Sequence, residues 1–354
     1  MFFLEKNSEE HNFKFADQDT KSKGKDKEKN PKNSIQVSSP KFKTDIPANF
    51  FNRLGIVGGS PISAELLYET HLSKEMIDKY GKYFVATFNP ENLEIPLDNF
   101  LDRHEFTPKT RAQMVNWMLE VFHVYDCDEN TIFAAVRIMD KYCWKSRSII
   151  NAKTFFAIGV VCIYIASKAY DSFHIKDSFH IKMKDIVHNI SHDALDEILV
   201  KKYEKRILTA IDFDVMSPGP SEFIQFLLYD LYMNNKSVIK KFRLKKIIDI
   251  VENCAIWVAK MCNHFEKYSC KAPNHIAVAC LLIGYEMTKD NKKLSSNEKE
   301  FFVEWLEFIF VRVGKNPEEK KSIDNLYQDI YASFVKFKTM EYKNLMKYHE
   351  LYFD

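Results

Sequence analysis

Apolar residues recur every three or four positions along most of the chain from Pro108 to about residue 337, the spacing typical of α-helices. Thr107 followed by Pro108 matches the usual start of a helix, a capping hydroxyl and then a proline. The first apolar face consists of Met114, Trp117, Met118, Val121, Phe122 and Tyr125, and the second of Ile132, Val136, Met139 and Cys143. Further helices are predicted at about 153–169, 193–212, 220–234, 237–263, 296–313 and 318–337. No stretch of useful length alternates polar and apolar residues as a β-strand would.

Two helical stretches have no polar face and must therefore be enclosed by other helices. They are Phe155 to Ala166 and Ile276 to Tyr285, and they begin about 120 residues apart. Amphipathic helices come before and after each of them. This order predicts an all-α protein with two tandem helical domains, each packed around a buried central helix.

The domain boundaries follow from shifts in composition. Residues 1–48 include the charged run from Lys21 to Lys29 and are predicted to be a disordered tail. We expect a flanking segment at 49–99, a first helical domain at 100–216, a second at 217–340, and a C-terminal tail at 341–354.

The composition limits the classes of function that the chain can have. The chain has 354 residues, and its 51 Lys and Arg against 49 Asp and Glu give a net charge of +2, which does not favour nucleic-acid binding. The longest apolar run has twelve residues, so we expect no membrane partner. The seven cysteines form no C-x-x-C pair, and we read them as reduced thiols in an intracellular protein. No nucleophile–base–acid set and no metal-ligand spacing stands out, so we expect no cofactor, no metal and no enzymatic activity.

Four stretches between residues 107 and 215 carry a recognisable series of motifs. They are Thr107–Val121 with its Arg-Ala, Trp and Glu-Val, Ala134–Tyr142 with its Asp, Ile165–Lys168, and Tyr203–Val215. In this order they resemble the cyclin box. The second half resembles the family only through Ala272-Pro273 before its central helix. The resemblance implies that each of the two tandem domains is a box of five helices. The exit Phe213-Asp214-Val215 followed by Pro218 is similar to that of the A/B-like cell-cycle type.

The resemblance implies a regulatory subunit of a cyclin-dependent protein kinase, acting in cell-cycle control in the nucleus, the cytoplasm or both. Lys168 and Glu204 match the kinase-contacting Lys and Glu of the family, and Leu208, Phe213 and Val215 would form the apolar surroundings. Ala169 stands where many cyclins have an aromatic residue, which Tyr170 would replace. The competing interpretation of Lys168 and Glu204 is an ordinary surface pair.

Two further sets of residues follow from the resemblance. Arg111 and Asp140 match an internal ion pair between the first two helices. A groove that docks Arg-x-Leu motifs of kinase substrates would be formed here, in modified form, by Gln113, Met114, Trp117, Glu120 and Phe156.

Other interpretations remain open from the sequence. The chain could be a non-catalytic scaffold with a double cyclin fold, like the general transcription factor IIB family, or a cyclin that does not activate a kinase. The hexapeptide Asp-Ser-Phe-His-Ile-Lys occurs twice in succession at Asp171–Lys182, which we read as a duplication accommodated in a longer loop.

Overall fold

The computed structural model describes residues 93–170, 181–235, 239–240, 244–289, 294–337 and 343–348. The predicted disordered tail, the flanking segment up to residue 92 and residues 171–180 of the tandem repeat lie outside these ranges. Across the described residues the chain is helical and has no β-strand, and an isolated parallel bridge joins Glu105 to Asn151. The all-α prediction is confirmed.

The first helical bundle contains four long helices: α1 (Pro108–Val124), α2 (Glu129–Lys145), α3 (Ala152–Tyr170) and α4 (Glu197–Ala210). A π-helical turn at Asp185–Ile190 precedes α4. The central helix α3 packs against α1, α2 and α4. It is the helix that the sequence predicted to be apolar all round, and eleven of its residues are buried.

The second bundle begins with α5 (Pro220–Asn234), α6 (Lys245–Cys262) and the short α7 (Glu266–Ser269). Its central helix is α8 (Pro273–Thr288), which is followed by α9 (Ser296–Val313) and α10 (Pro317–Phe337). Helix α8 packs against α5, α6, α9 and α10. Each bundle therefore encloses one apolar helix, as the sequence predicted. The predicted domain boundary between residues 216 and 217 falls in the connection between α4 and α5 and stays a prediction.

Helix α8 approaches α6 closely at Gly284. A Cβ atom at this position would lie 2.9 Å from the backbone nitrogen of Ala255 and 3.0 Å from the carbonyl oxygen of Val251. Only glycine lets the two backbones come this near.

Helix starts are set by capping side chains. The Thr107 side chain accepts a hydrogen bond from the Thr110 amide, and Ser295 with Glu298 forms a capping box at α9. Helix α4 begins at Glu197 rather than at the predicted 193, because Asp193 has a left-handed backbone and Asp196 caps the helix by accepting from Leu199. The helix predicted at 237–263 is likewise shorter, since α6 begins at Lys245.

Helix α3 is also, among the described residues, the one long and apolar enough to cross a membrane by length and composition. Its position inside the bundle leaves 61% of that apolar stretch buried among its neighbours. The core helix of a helical bundle has the same properties.

The last described element is α11 (Lys343–Tyr348), which lies in the region predicted as a C-terminal tail. It packs against α1 of the first bundle and also touches α6 of the second.

Candidate functional site

Helices α3 and α4 bring together Lys168 and Glu204, the two charged residues that the sequence singled out. The Lys168 ammonium forms an ion pair with the Glu204 carboxylate. The Lys168 Nζ atom also lies 4.2 Å from the centroid of the Tyr164 ring, within range of a cation–π contact. The two side chains are 38% and 18% exposed, so the pair lies at the surface without being fully solvated. Such a pair can accept or donate further hydrogen bonds to a partner.

The turn after α4 presents an aromatic side chain to the solvent. Phe213 is 67% exposed, whereas Leu208 and Val215 are partly buried. Asp212 and Phe213 have φ angles of 54° and 57°, the left-handed region that non-glycine residues seldom adopt. Strain of this kind persists only where the surroundings enforce it.

Hydrogen bonds hold this turn in place from within. The Phe213 amide donates to the Leu208 carbonyl oxygen at 2.8 Å. Lys141 Nζ donates to an Asp214 carboxylate oxygen at 2.7 Å, and Arg137 Nη2 donates to the Val215 carbonyl oxygen at 2.9 Å. Phe213 is therefore displayed by a rigid loop rather than by a mobile one.

A salt-bridge network surrounds Lys141 at the base of the turn. Its ammonium contacts Glu94 at 2.6 Å as well as Asp214, and Lys145 also contacts Glu94 at 2.6 Å. The bonds from Lys141 and Lys145 lower the pKa of Glu94. Burial alone would raise the pKa of Asp214, but hydrogen bonds from Lys141 and Ser217 lower it overall.

The Tyr170 side chain points into the bundle, where its hydroxyl group is hydrogen-bonded. This hydroxyl accepts a hydrogen bond from Arg137 at 3.3 Å and donates one to Glu222 at 2.9 Å. Burial raises the pKa of Tyr170, and burial also raises the pKa of Glu222, which the nearby Arg137 offsets only in part. The sequence suggested that Tyr170 contacts a kinase, and this stays a prediction. While the bonds to Arg137 and Glu222 remain, the Tyr170 hydroxyl is not available for such a contact.

Arg111 and Asp140 link the two bundles. Arg111 donates through Nε and Nη2 to the two carboxylate oxygens of Asp140 at 2.7 and 2.5 Å. Arg111 Nη1 also donates to the carbonyl oxygen of Asn263 at 2.8 Å, and the Ser269 hydroxyl donates to Asp140 at 2.6 Å. The contacts to Asn263 and Ser269 in the second bundle were not foreseen from the sequence.

Of the five residues suggested for the substrate groove, Met114 is buried and the other four lie at the surface. Met114 is 1% exposed and lies inside the bundle beside Gly159. Gln113, Trp117, Glu120 and Phe156 are partly exposed, and the rings of Trp117 and Phe156 are 5.8 Å apart. The structure therefore brings the surface set together, with Met114 beneath it.

Ile198 is a surface residue that the sequence analysis did not single out. It is 80% exposed on α4, the most exposed of the large hydrophobic residues in the described part of the chain. At about 100° per residue it lies about 120° around the helix from Glu204. It therefore belongs to a different face from the Lys168–Glu204 pair.

Comparison with known proteins shows that the first bundle is similar to cyclins. Residues 84–216 match the N-terminal domain of cyclins, which covers α1 to α4 and the turn that displays Phe213. The chain is 24% identical over 151 residues to the G2/mitotic-specific cyclin-2 of Saccharomyces cerevisiae, covering 42% of this chain and 29% of that protein. It is 23% identical over 145 residues to the G2/mitotic-specific cyclin-B3 of Caenorhabditis elegans, covering 41% and 36% of the two chains. The chain therefore carries, at residues 84–216, the N-terminal domain that cyclins share.

The similarity covers about a third of the length of these two relatives. Among solved structures, a viral cyclin from herpesvirus saimiri shares 18% identity and superposes with a TM-score of 0.42, covering 64% of this chain and 91% of its own.

Proposed function

We propose that this chain is the regulatory subunit of a cyclin-dependent serine/threonine protein kinase, which it binds and activates. The observation that carries the proposal is the partly exposed Lys168–Glu204 pair, which lies with the exposed Phe213 within the region that matches the cyclin domain. We expect the complex to act in cell-cycle control, in the nucleus, the cytoplasm or both.

The physical basis of activation is selective binding. A kinase has active and inactive conformations, and a partner that binds the active one more tightly shifts the population towards it. In this proposal Lys168 and Glu204 exchange part of their mutual contact for hydrogen bonds to kinase backbone groups, while Phe213 enters an apolar pocket. The chain itself contributes no catalytic group.

The rigidity of the turn supports this role. Arg137 and Lys141 fix residues 214 and 215, so Phe213 does not need to be ordered when the kinase binds. Preorganisation of this kind lowers the entropic cost of association. An exposed aromatic side chain on a fixed loop is also the type of residue that contributes most to protein–protein affinity.

The test is affinity purification of the tagged chain from its own cells, followed by mass spectrometry and a histone-kinase assay of the eluate. We expect a stoichiometric kinase and kinase activity with the wild-type chain, and neither with the Lys168→Ala/Glu204→Ala variant. The matched control is Glu197→Ala/Lys201→Ala, which removes a 2.6 Å ion pair on α4 whose side chains are 58% and 62% exposed. This control should behave as wild type.

The same experiment distinguishes the proposed kinase regulator from the competing functions. Recovery of transcription factors or nucleic acid without a kinase would favour the scaffold with a double cyclin fold. Recovery of a kinase without activity would favour a cyclin that binds but does not activate.

A further inference from the structure

Arg137 connects the two segments that carry proposed kinase contacts. Its Nη2 atom donates to the Val215 carbonyl oxygen at 2.9 Å, in the turn that displays Phe213. The same atom donates to the Tyr170 hydroxyl oxygen at 3.3 Å, at the end of α3. One nitrogen atom therefore ties the last residue of α3 to the turn after α4.

Tyr170 determines which way the last turn of α3 faces. Ser167 is completely buried, so core packing fixes the helix up to that residue. Tyr170 and Lys168 are two positions apart, about 200° around the helix axis, and therefore lie on nearly opposite faces. Because the Tyr170 hydroxyl is bonded inside the protein, Lys168 is turned outward, where it pairs with Glu204.

The second bundle supplies the anchor for Tyr170. Glu222 on α5 is 5% exposed, and one of its carboxylate oxygens accepts a hydrogen bond from the Tyr170 hydroxyl at 2.9 Å. The other oxygen accepts from the Gly219 amide and lies 3.9 Å from Arg137 Nη1. Hydrogen bonds to a buried carboxylate are strong, because they replace the water that the charge has lost.

We propose that Tyr170 is a positioning residue for kinase binding rather than a kinase contact. Its hydroxyl, held by Glu222 of the second bundle, sets the last turn of α3, and Arg137 holds this turn against the loop that displays Phe213. The second bundle thereby preorganises residues of the first, which lowers the cost of association. The inference rests on the proposed function and adds that the second bundle contributes to kinase affinity through this bond.

Tyr170→Phe removes the hydroxyl and keeps the ring, so it tests the hydrogen bonds alone. Hydrogen–deuterium exchange of the free chain is followed at the amides of residues 168–170 and 213–215. In Tyr170→Phe, exchange should be at least about fivefold faster at residues 168–170. It should be about twofold faster at 213–215, because Arg137 is no longer fixed by the hydroxyl.

The matched control is Tyr268→Phe. Tyr268 is 2% exposed, and its hydroxyl is hydrogen-bonded to that of Ser333 at 2.9 Å within the second bundle. The control therefore also removes a buried, hydrogen-bonded hydroxyl and keeps the ring. It should leave the exchange of residues 168–170 and 213–215 unchanged.

Kinase affinity measures the consequence for binding. By titration calorimetry, the kinase recovered in the affinity experiment should bind the Tyr170→Phe chain about tenfold more weakly than the wild type, and the Tyr268→Phe chain as tightly. In the Lys168→Ala background the Tyr170→Phe change should weaken binding by about threefold or less, because Lys168 is no longer there to be positioned. A purely structural effect of Tyr170 would weaken binding by the same factor in both backgrounds, which would overturn the inference.

Other results would also overturn it. Unchanged exchange at residues 168–170 in Tyr170→Phe does so, as do equal effects of Tyr170→Phe and Tyr268→Phe. Faster exchange with unchanged kinase affinity refutes the inference alone, provided that Lys168→Ala/Glu204→Ala loses affinity. If that double variant binds the kinase like the wild type, the proposed kinase contacts are wrong and the inference fails with them.

A second variant covers the case in which Tyr170→Phe fails to fold. Glu222→Gln keeps the size of the anchoring side chain and removes its charge. Exchange at residues 168–170 should then rise about threefold, and an unchanged rate overturns the inference.

Discussion

Arg111 and Asp140 form a bidentate ion pair in which the arginine side chain is completely buried. The same guanidinium group reaches the backbone of Asn263 in the second bundle. One side chain therefore completes the core of the first bundle and attaches the second bundle to it. Removing either Arg111 or Asp140 leaves the other as an uncompensated charge between the two bundles.

Asp140→Ala should lower the free energy of unfolding by about 3–5 kcal/mol, because Arg111 would remain buried without its counter-charge. The measurement is urea denaturation followed by circular dichroism. Lys201→Ala, which removes one member of an exposed pair, is the control and should leave the denaturation midpoint unchanged. The double variant Arg111→Met/Asp140→Leu should lose less than Asp140→Ala alone, and a larger loss would contradict this explanation.

Exchanging the charges of the pair, Lys168→Glu with Glu204→Lys, separates the two interpretations of these residues. The swapped pair can still attract internally, so stability should change by less than about 1 kcal/mol. Kinase activation should be lost, because the partner's donors and acceptors would face the wrong charges. Reconstituted kinase assays with the purified kinase from the affinity experiment provide the measurement. Full activation by the swapped chain would show that the pair acts only within the chain.

Phe213→Gly should have opposite effects on folding and on binding. Glycine adopts the left-handed backbone without a Cβ clash, so stability should be unchanged or raised by up to about 1 kcal/mol. Kinase affinity should fall at least tenfold with the loss of the exposed ring. Asp212→Gly is the matched control, since it relaxes the neighbouring left-handed residue and keeps the ring. Titration calorimetry and thermal melting check both effects, and equal kinase affinities of the two variants would refute the role of Phe213.

Gly284→Ala should destabilise the chain by about 1–3 kcal/mol. The new Cβ atom would meet backbone atoms of α6, which cannot move without separating the helices. At Gly159 the corresponding Cβ would meet the flexible side chain of Met114, with the sulphur atom 2.5 Å away. Gly159→Ala should therefore be the milder change, which the midpoints of urea denaturation would reveal. The reverse order would contradict the close approach of α6 and α8.

Stability should decline as the pH falls from about 6.5 to 4, because of His264. Burial lowers the pKa of His264 to about 4, and its Nδ1 atom bonds to the carbonyl oxygen of Lys260. The unfolded chain, in which a histidine has a pKa of about 6.5, binds a proton in this window that the folded chain does not. The folded state is therefore favoured above pH 6.5 and loses up to about 3 kcal/mol by pH 4.

His264→Gln isolates this contribution, because glutamine carries no titrating group. Melting temperatures of the wild type and the variant, measured between pH 7 and 4.5, should show a steeper decline in the wild type. Parallel curves would show that His264 has the same pKa in the folded and the unfolded chain, which would contradict this prediction.

Much of the fold could be predicted because its signals are local. The cap at Thr107, the apolar runs of α3 and α8 and the amphipathic pattern of α9 and α10 each depend on neighbouring residues. The start of α4 was wrong by four residues, since the pattern of apolar positions carries no information about the left-handed backbone of His192 and Asp193. The π-helical turn before it was likewise not predicted.

The candidate site could be predicted only as far as its residue types. The resemblance indicated Lys168, Glu204 and Phe213, and the structure brings the first two into contact. It could not indicate that the Tyr170 hydroxyl bonds to Arg137 and Glu222, which are 33 and 52 positions away. The same applies to α11 on α1, where Asn344 meets Asn116 across 228 positions without any local signal.

The ion pair of Arg111 has a consequence for synthesis of the chain on the ribosome. The partners of its guanidinium in the second bundle, Asn263 and Ser269, follow 152 and 158 positions later. At about 5–20 residues per second, these partners emerge about 8–30 s after Arg111 itself. During that interval a cation destined for the core has only Asp140 to bind. The first bundle therefore completes the contacts of its buried arginine only after translation has passed residue 269.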